Sequence, residues 1–501
     1  MARSLRRLPP WDAANRLVSP RFAIWQSSGG QVKARVIDDF SVSQINQSVD
    51  ASDTYRPENL DALASLARLQ HQLQPSEPLS AWSLDFAHAY KNLGVDTASA
   101  DVSSIVVWNP RERRTYIARM RTQPFGSSRA PASWGRVVSL LQRAVTQLLL
   151  TPILLYVDDV FSAEPSRTAW SAFTCTKKFF AMCGFDTSDH KDQVPAPSID
   201  LLGARVEFIP RGMKCSITPV RQANLLATLC DILHRASLKP SAASRLRGKL
   251  SFAASLTAGR FGRAMLGPIA ERQYQPKECA SALSPRLRET ILWWAAAIRT
   301  FPPRVLDFSP GQPWIVHSDA SAPGHIAAVL DAQTEVVSFQ CHAPAWFLGD
   351  ARKHSAAPIL EFELLAALLA LTTVPNSNTR VLCFVDNLDA KAALVTGRAT
   401  HDVASHIVHA FWYVAMMRTL TVWIDYVHTS SNLADRPSRQ CALANPSQST
   451  ATGYPPARPA TIPSVFQNLL ETREALSVPR LRTGEPLPPK TLFQCPQFPV
   501  P

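Results

Sequence analysis

No CxxC pair occurs anywhere in this 501-residue chain, and its nine cysteines are odd in number and scattered. That spacing excludes a disulfide framework and a zinc knuckle, and it fits a reducing compartment. Apolar runs long enough to span a bilayer are missing as well: Leu148–Tyr156 is too short, and Ala410–Val427 is broken by Arg418 and Asp425. The basic start, Met1 to Arg7, has no apolar stretch behind it, so no signal peptide is expected. Charge is scarce, at 18% of residues, and acids are the scarcer sign: 39 Asp+Glu face 52 Lys+Arg, a formal +13. So few charges exclude a solvated polyelectrolyte. The positive excess must sit on folded surface, where it suits a polyanion such as nucleic acid and leaves little reason for a membrane partner. The expectation is an intracellular chain, cytoplasmic or nuclear, whose 46% apolar content supports more than one core.

Glycine is also sparse, eighteen against forty prolines, and twelve of those prolines lie between Pro446 and Pro501. Residues 441–501 therefore read as a Pro-rich, largely disordered tail, with one helix expected around Ser464–Leu476. A second break runs from Pro302-Pro303 to Pro313. From Arg221 to Arg299 thirteen Lys/Arg face four acids, a net +9, on a helical pattern of Leu and Ala. Ordinary helices with basic solvent faces would explain it, but a module that grips a phosphate backbone explains it better beside a catalytic block. Trp170, Trp293-Trp294 and Trp412-Tyr413 could stack bases, yet each sits in an apolar helical run and reads as core.

Chemistry enters at Ile153-Leu-Leu-Tyr156-Val157-Asp158-Asp159-Val160-Phe161, a β-hairpin with two adjacent acids at its tip. Unpaired acids between buried strands repel each other, which is tolerable only in water or around a cation. Upstream, Leu84-Asp85-Phe86 offers a strand ending in an acid, followed by a helical turn reaching Tyr90. A strand-end Asp and a hairpin Asp can jointly hold two Mg²⁺ ions, with Mn²⁺ a possible substitute.

At these residues the chain resembles the reverse transcriptases. Tyr156-Val-Asp-Asp159 is similar to their YxDD box, and Asp85 to the first metal ligand. Lys33-Ala-Arg35 resembles the fingers strand whose basic residues clamp the incoming triphosphate. Tyr90 falls where the family keeps the aromatic that blocks a ribose 2′-hydroxyl, which implies dNTPs. Gln123-Pro124-Phe125-Gly126 resembles the loop that contacts template and nucleotide. Lys191, after Cys183-Gly184-Phe185, resembles the lysine that donates a proton to pyrophosphate, and Leu201-Leu202-Gly203 resembles the strand that grips the primer end. Six such motifs in the family's order carry far more weight than any one. Phe125 and the Ser431-Asn-Leu-Ala-Asp-Arg-Pro-Ser-Arg439 segment tilt the resemblance toward the DIRS-like branch of retroelements, with a related LTR-type or pararetroviral branch as the alternative.

After the proline break, acids recur at element ends: Asp319 closes an apolar strand, Glu361 and Glu363 lie on an amphipathic helix, Asp386 follows Arg380–Val385, and Asp435 sits on a terminal loop or helix. The order βββαβαβ puts four carboxylates at one end of a mixed sheet. This segment resembles ribonuclease H. The resemblance implies Asp319, Glu363, Asp386 and Asp435 as a two-Mg²⁺ tetrad, with Glu363 favoured over Glu361 by the Leu-Leu-Ala that follows it. His428, just before the last acid, matches a His that helps product leave. The scissile phosphate would lie between metals, and the 2′-hydroxyls would mark the RNA strand of a hybrid.

The expected fold is therefore α+β: a right-hand polymerase of fingers, palm and thumb, then an α/β ribonuclease H-like domain with a mixed five-stranded sheet. The expected boundaries are fingers 1–80, short as if opened inside a longer reading frame, and palm 81–215 with an inserted fingers segment near 99–124. Basic thumb or connection 216–300, linker 301–312, nuclease 313–440 and tail 441–501 follow. The expected partners are an RNA template, a DNA primer, an RNA–DNA hybrid and dNTPs. No protease box, zinc knuckle or integrase array is present, so the expectation covers the polymerase–nuclease part of a retroelement. A decayed or domesticated copy that binds nucleic acid without synthesis is the rival reading.

Overall fold

The computed structural model describes residues 5–7, 17–28, 31–48, 55–256, 260–276, 281–309, 311–322, 324–332, 336–343, 347, 358–375, 377, 379–399, 401–439 and 458–459. It divides into two compact units, Met1–Leu202 with Phe208–Pro210, and Gly203–Glu207 with Arg211–Pro501.

The first unit holds two sheets. A five-stranded sheet runs in the order Leu5–Arg7, Arg114–Met120, Ser104–Asn109, Val18–Ser28, Gln31–Asp38. A four-stranded antiparallel sheet has the order Leu154–Tyr156, Asp159–Pro165, Leu79–Asp85, Gln193–Ala196. Leu79–Asp85 is a near-continuous buried run because it is a central strand, covered by the helices Ala130–Leu148 and Ser166–Met182. Trp82, Phe86, Trp134 and Phe180 fill the space between, and Phe86 meets Trp134 edge-to-face at 5.3 Å. Burying four large rings stabilises this layer by roughly 2 kcal/mol or more each. Trp170 departs from expectation: it is 56% exposed, because its helix turns only Ala169, Ala172, Phe173, Thr176 and Phe180 fully inward.

After the strand Gly212–Ile217 the second unit carries four helices, Pro219–Arg235, Pro240–Ser255, Gly267–Tyr274 and Pro285–Thr300. Each opens with Pro in its first turn, where the missing N–H is no loss, and Thr218 and Ser284 cap two of them by accepting from Arg221 N and Leu287 N. Leu229, Leu250, Ile269, Ile291 and Trp294 form their shared core.

Residues 301–312 are not merely a linker. Arg304–Asp307 pairs antiparallel with Gly212–Cys215. Prolines bar pairing at 302 and 303, but the next four residues keep their N–H groups.

A mixed sheet follows, in the order Thr421–Tyr426, Arg380–Val385, Trp314–Ser321, His325–Asp331, Val336–His342, Arg458–Pro459. It has six strands instead of the expected five. The sixth is a two-residue strand parallel to Val337–Ser338, on an edge whose unpaired backbone groups accept it and where Pro is tolerated. The helix expected at Ser464–Leu476 lies outside the described residues.

Ile359–Thr373 is not amphipathic: thirteen of its fifteen residues are buried. It is packed on the strands Trp314–Ser321 and His325–Asp331 and against the helix Asp402–Met417, so no side of it faces water. Its C-terminal carbonyls are met by Arg418, which donates to Leu371 O, Thr372 O and Val374 O at 3.3, 3.1 and 2.5 Å. The described cysteines Cys175, Cys183, Cys215, Cys230, Cys341 and Cys383 are free thiols. Among the described residues, no helix is long and apolar enough to cross a membrane.

Candidate active sites

Two groups of carboxylates stand out, one in each unit. In the first unit Asp85 ends its strand directly opposite Asp159 in the antiparallel register, so both side chains leave the same face. Asp158 occupies the turn between Leu154–Tyr156 and Asp159–Pro165, where Val157 adopts a left-handed φ of 58°. That strained turn is held from both sides: Trp134 Nε1 donates to Val157 O at 2.6 Å, and Phe86 N donates to Asp158 O at 2.9 Å.

Burial pushes the Asp159 carboxyl up to about 6, with the neighbouring Asp158 and Asp85 charges adding to it. Asp158 is raised too, chiefly by burial and then by Asp85, while Lys191 and Arg35 pull it down. Lys191 Nζ lies 2.8 and 3.0 Å from the two carboxylate oxygens of Asp85. Its loop is tied down by Ser188 N donating to Asp85 O, and by Asp192, which accepts from Lys177, Thr187 and Asp85 N.

The remaining expected residues of this unit frame the trio. Arg35 is exposed on the Gln31–Asp38 strand; Lys33 lies on the same strand, its side chain outside the described residues. Tyr90 stands against Phe125 with ring centroids 5.1 Å apart, and Phe125 is 51% exposed with Lys91 Nζ 5.7 Å from its ring. Burial, then the Asp158 charge, raises the Tyr90 hydroxyl above its ordinary value. Gly126 has a plain backbone role: a Cβ there would overlap the Asp38 carbonyl, and its own carbonyl accepts from Asn46 Nδ2 at 3.0 Å. Asp38 is itself clamped bidentately by Arg21 at 2.6 and 3.0 Å. Leu202-Gly203 is not strand but the turn that ends Ser198–Leu201, with φ of 49° and 81°.

In the second unit Asp319 comes from the central strand Trp314–Ser321, Asp386 from the end of Arg380–Val385, and Glu363 from the buried helix. One ligand oxygen from each lies within 4.8 Å of the others. Among the described residues this is the group of three drawn to that spacing; Asp85, Asp158 and Asp159 are not. Glu363, and not Glu361, belongs to it, although Glu361 is also buried.

Burial lifts Glu363 to about 9, reinforced by Asp319 and Asp386. Burial lifts Asp319 to about 7 against a hydrogen bond from Ser438, with Asp386 and Asp435 adding repulsion. Glu363 Oε2 is buried without a hydrogen-bond partner among the described residues. An orphaned carboxylate oxygen facing two more acids fits a hard divalent cation better than any protein donor present.

Asp435 stands at the start of the Asp435–Arg439 helix, with Arg439 Nη2 at 2.6 Å, and is not in the three-acid group. Its segment is fastened to the Asp319 strand at three points that sequence reasoning missed. Ser438 Oγ donates to Asp319 Oδ2, Ser321 Oγ donates to Ser438 O at 2.7 Å, and Asn432 Nδ2 donates to Ser318 O at 3.1 Å. Polar residues beside an acid in the Ser431–Arg439 segment read as loop, so the sequence carried no sign of these ties. His428 caps the Thr429–Ser431 turn, its Nδ1 2.9 Å from Ser430 Oγ.

The basic stretch is less free than its charge suggests. Arg260 Nε donates to Val395 O at 2.5 Å, and Arg263 Nη1 to Thr396 O at 3.5 Å, at the C-terminal end of the Leu388–Thr396 helix. Between them Phe261 stacks on His409 at 4.8 Å within the core of the mixed sheet. Arg272 is buried and donates to Ala282 O, Arg235 pairs with Asp231, and Arg286 with Glu271.

No protein-family model matches the chain, and no curated protein matches it. Among solved structures the chain is similar to the foamy viral protease-reverse transcriptase dRH in complex with ds DNA, at 13% identity and a TM-score of 0.48. That similarity covers 85% of this chain and 67% of the other. It is similar also to the foamy viral protease-reverse transcriptase in complex with RNA/DNA hybrid, at 13% identity and a TM-score of 0.49, covering 84% of this chain and 51% of that one. The chain thus spans about half the length of the second neighbour.

Proposed function

We propose that the chain is an RNA-directed DNA polymerase of a retroelement that also carries a ribonuclease H-type site. The observation that carries the reading is the double convergence of strand-end acids: Asp85 opposite Asp159 beside Asp158, and Asp319 with Glu363 and Asp386.

Asp85, Asp158 and Asp159 would hold one pair of Mg²⁺ ions, or Mn²⁺ in their place, and Asp319, Glu363, Asp386 and Asp435 the other. Bound divalent metal supplies charge neutralisation at the phosphoryl centre and acidifies the attacking oxygen. The protein's own part is to hold these carboxylates converging in a partly dry setting, where burial favours the neutral form and a bound cation would favour the ionised one. Tyr90 backed by Phe125 walls the nucleotide's sugar, which favours dNTPs. Arg35, exposed near Asp158, offers a cation to the triphosphate. Lys191 carries an ammonium proton beside Asp85, where a leaving pyrophosphate would need one. His428, which caps the Thr429–Ser431 turn, would help the cleaved product leave. The exposed Arg245, Lys249 and Arg288 remain for a template–primer or hybrid backbone.

The test is primer extension on an RNA template with dNTPs and Mg²⁺, beside cleavage of a labelled RNA–DNA hybrid. Both products are expected. A chain that binds the hybrid and makes neither product is a binding protein, and the proposal fails.

A further inference from the structure

Arg221 differs from the other arginines of the basic helices in how it is held. Its guanidinium lies over the Phe252 ring, 4.4 Å from the centroid, and it packs closely against Gly203. A Cβ at Gly203 would overlap that guanidinium, and the glycine's φ of 81° is one that side chains rarely adopt. The side chain is nonetheless exposed. Among the described residues no carboxylate or carbonyl receives its five N–H donors, whereas Arg235, Arg260, Arg272 and Arg286 each have such a partner.

An arginine fixed by stacking has already given up most of its rotamer freedom, so little is left to lose when it meets an anion. The two residues that hold it, Phe252 and Gly203, offer no negative group, and among the described residues it has no ion pair. We infer that Arg221 is a pre-ordered phosphate seat: it binds one phosphodiester of a nucleic-acid backbone, without reading sequence, at the foot of the basic helices. The inference rests on the nucleic-acid reading above and adds a specific contact to it. A phosphate is favoured over a carboxylate ligand because the forked donors open a stretch, Arg221 to Arg299, whose sequence carries a net +9, which suits a polyanion.

The probe is a 20-base-pair RNA–DNA hybrid, and the readout is Kd for the full chain by fluorescence anisotropy across a salt series. Arg221→Gln is expected to weaken binding roughly tenfold at about 0.1 M salt and to lower the log–log salt slope by about one. Arg221→Lys, which keeps the charge but cannot stack flat, is expected to restore the slope while recovering only part of the affinity. Phe252→Leu keeps the charge and frees the guanidinium, so it should lose affinity a few-fold at an unchanged slope. Melting curves establish that each variant is folded. If the native chain binds and Arg221→Gln binds with the same Kd and slope, the phosphate seat is wrong while the enzyme reading stands. If the native chain does not bind the hybrid at any salt, both readings fall.

Discussion

Lys191 grips Asp85 by both carboxylate oxygens, at 2.8 and 3.0 Å, across 106 residues of chain. Lys191 is half exposed, so the pair's worth as a stabilising contact is small, on the order of 0–1 kcal/mol. Its larger effect is electrostatic: one ammonium faces three acids that repel one another.

That arrangement sets a pH limb. In the role proposed for it Asp159 must be ionised, and its carboxyl is held at about 6, above the ordinary 3.8. Synthesis should therefore fall as pH drops through about 6. Lys191 pulls Asp159 down, so Lys191→Met should move the limb to higher pH besides slowing the reaction. The check is the primer-extension rate between about pH 5 and 8 at limiting Mg²⁺. A limb that stays in place in the variant would show that Lys191 does not act on the carboxylates.

The second unit's three-acid group predicts an opposite dependence for stability. Glu363 sits at about 9 in the folded chain against 4.5 when unfolded, so the folded state holds an extra proton between those values. The stability linked to that proton is complete below 4.5 and is lost as pH rises through about 9. Without divalent metal, the native chain should melt at lower temperature at pH 9 than at pH 5. Glu363→Gln removes the charge, so it should flatten this dependence and stabilise the metal-free chain at high pH by roughly 1–3 kcal/mol. The same variant should lose hybrid cleavage, whereas Glu361→Gln should keep it. Equal loss in both variants would contradict the assignment of Glu363 to the three-acid group.

Arg418 gives a prediction about the scaffold alone. It donates to three carbonyls at the end of a helix that has no wet side. Arg418→Met should leave those acceptors unmet and cost about 1–3 kcal/mol, read as a drop in melting temperature. An unchanged melt would mean that water replaces the arginine without loss.

Much of this was legible in the chain itself. Asp85, Asp319 and Asp386 were readable because an apolar strand ending in a carboxylate is rarely neutral, and Asp158-Asp159 because two acids between apolar strands demand a reason. What escaped was long-range. Whether Ile359–Thr373 has a solvent face depends on the helix Asp402–Met417, which no local periodicity reveals. Arg304–Asp307 looked like linker between prolines because its partner, Gly212–Cys215, is about ninety residues earlier in the chain. Arg260 and Arg263 counted as free charge until the carbonyls of Val395 and Thr396 appeared beside them. Ser438 gave no signal, since a serine that steers a carboxylate looks like any other polar loop residue.

The central claim is that the chain has two separate sites, each built on its own acids. The direct test assays Asp158→Asn and Asp386→Asn side by side for primer extension and hybrid cleavage. Asp158→Asn should lose synthesis and keep cleavage, and Asp386→Asn should lose cleavage and keep synthesis. Loss of both activities in either folded variant, or of neither, would contradict it.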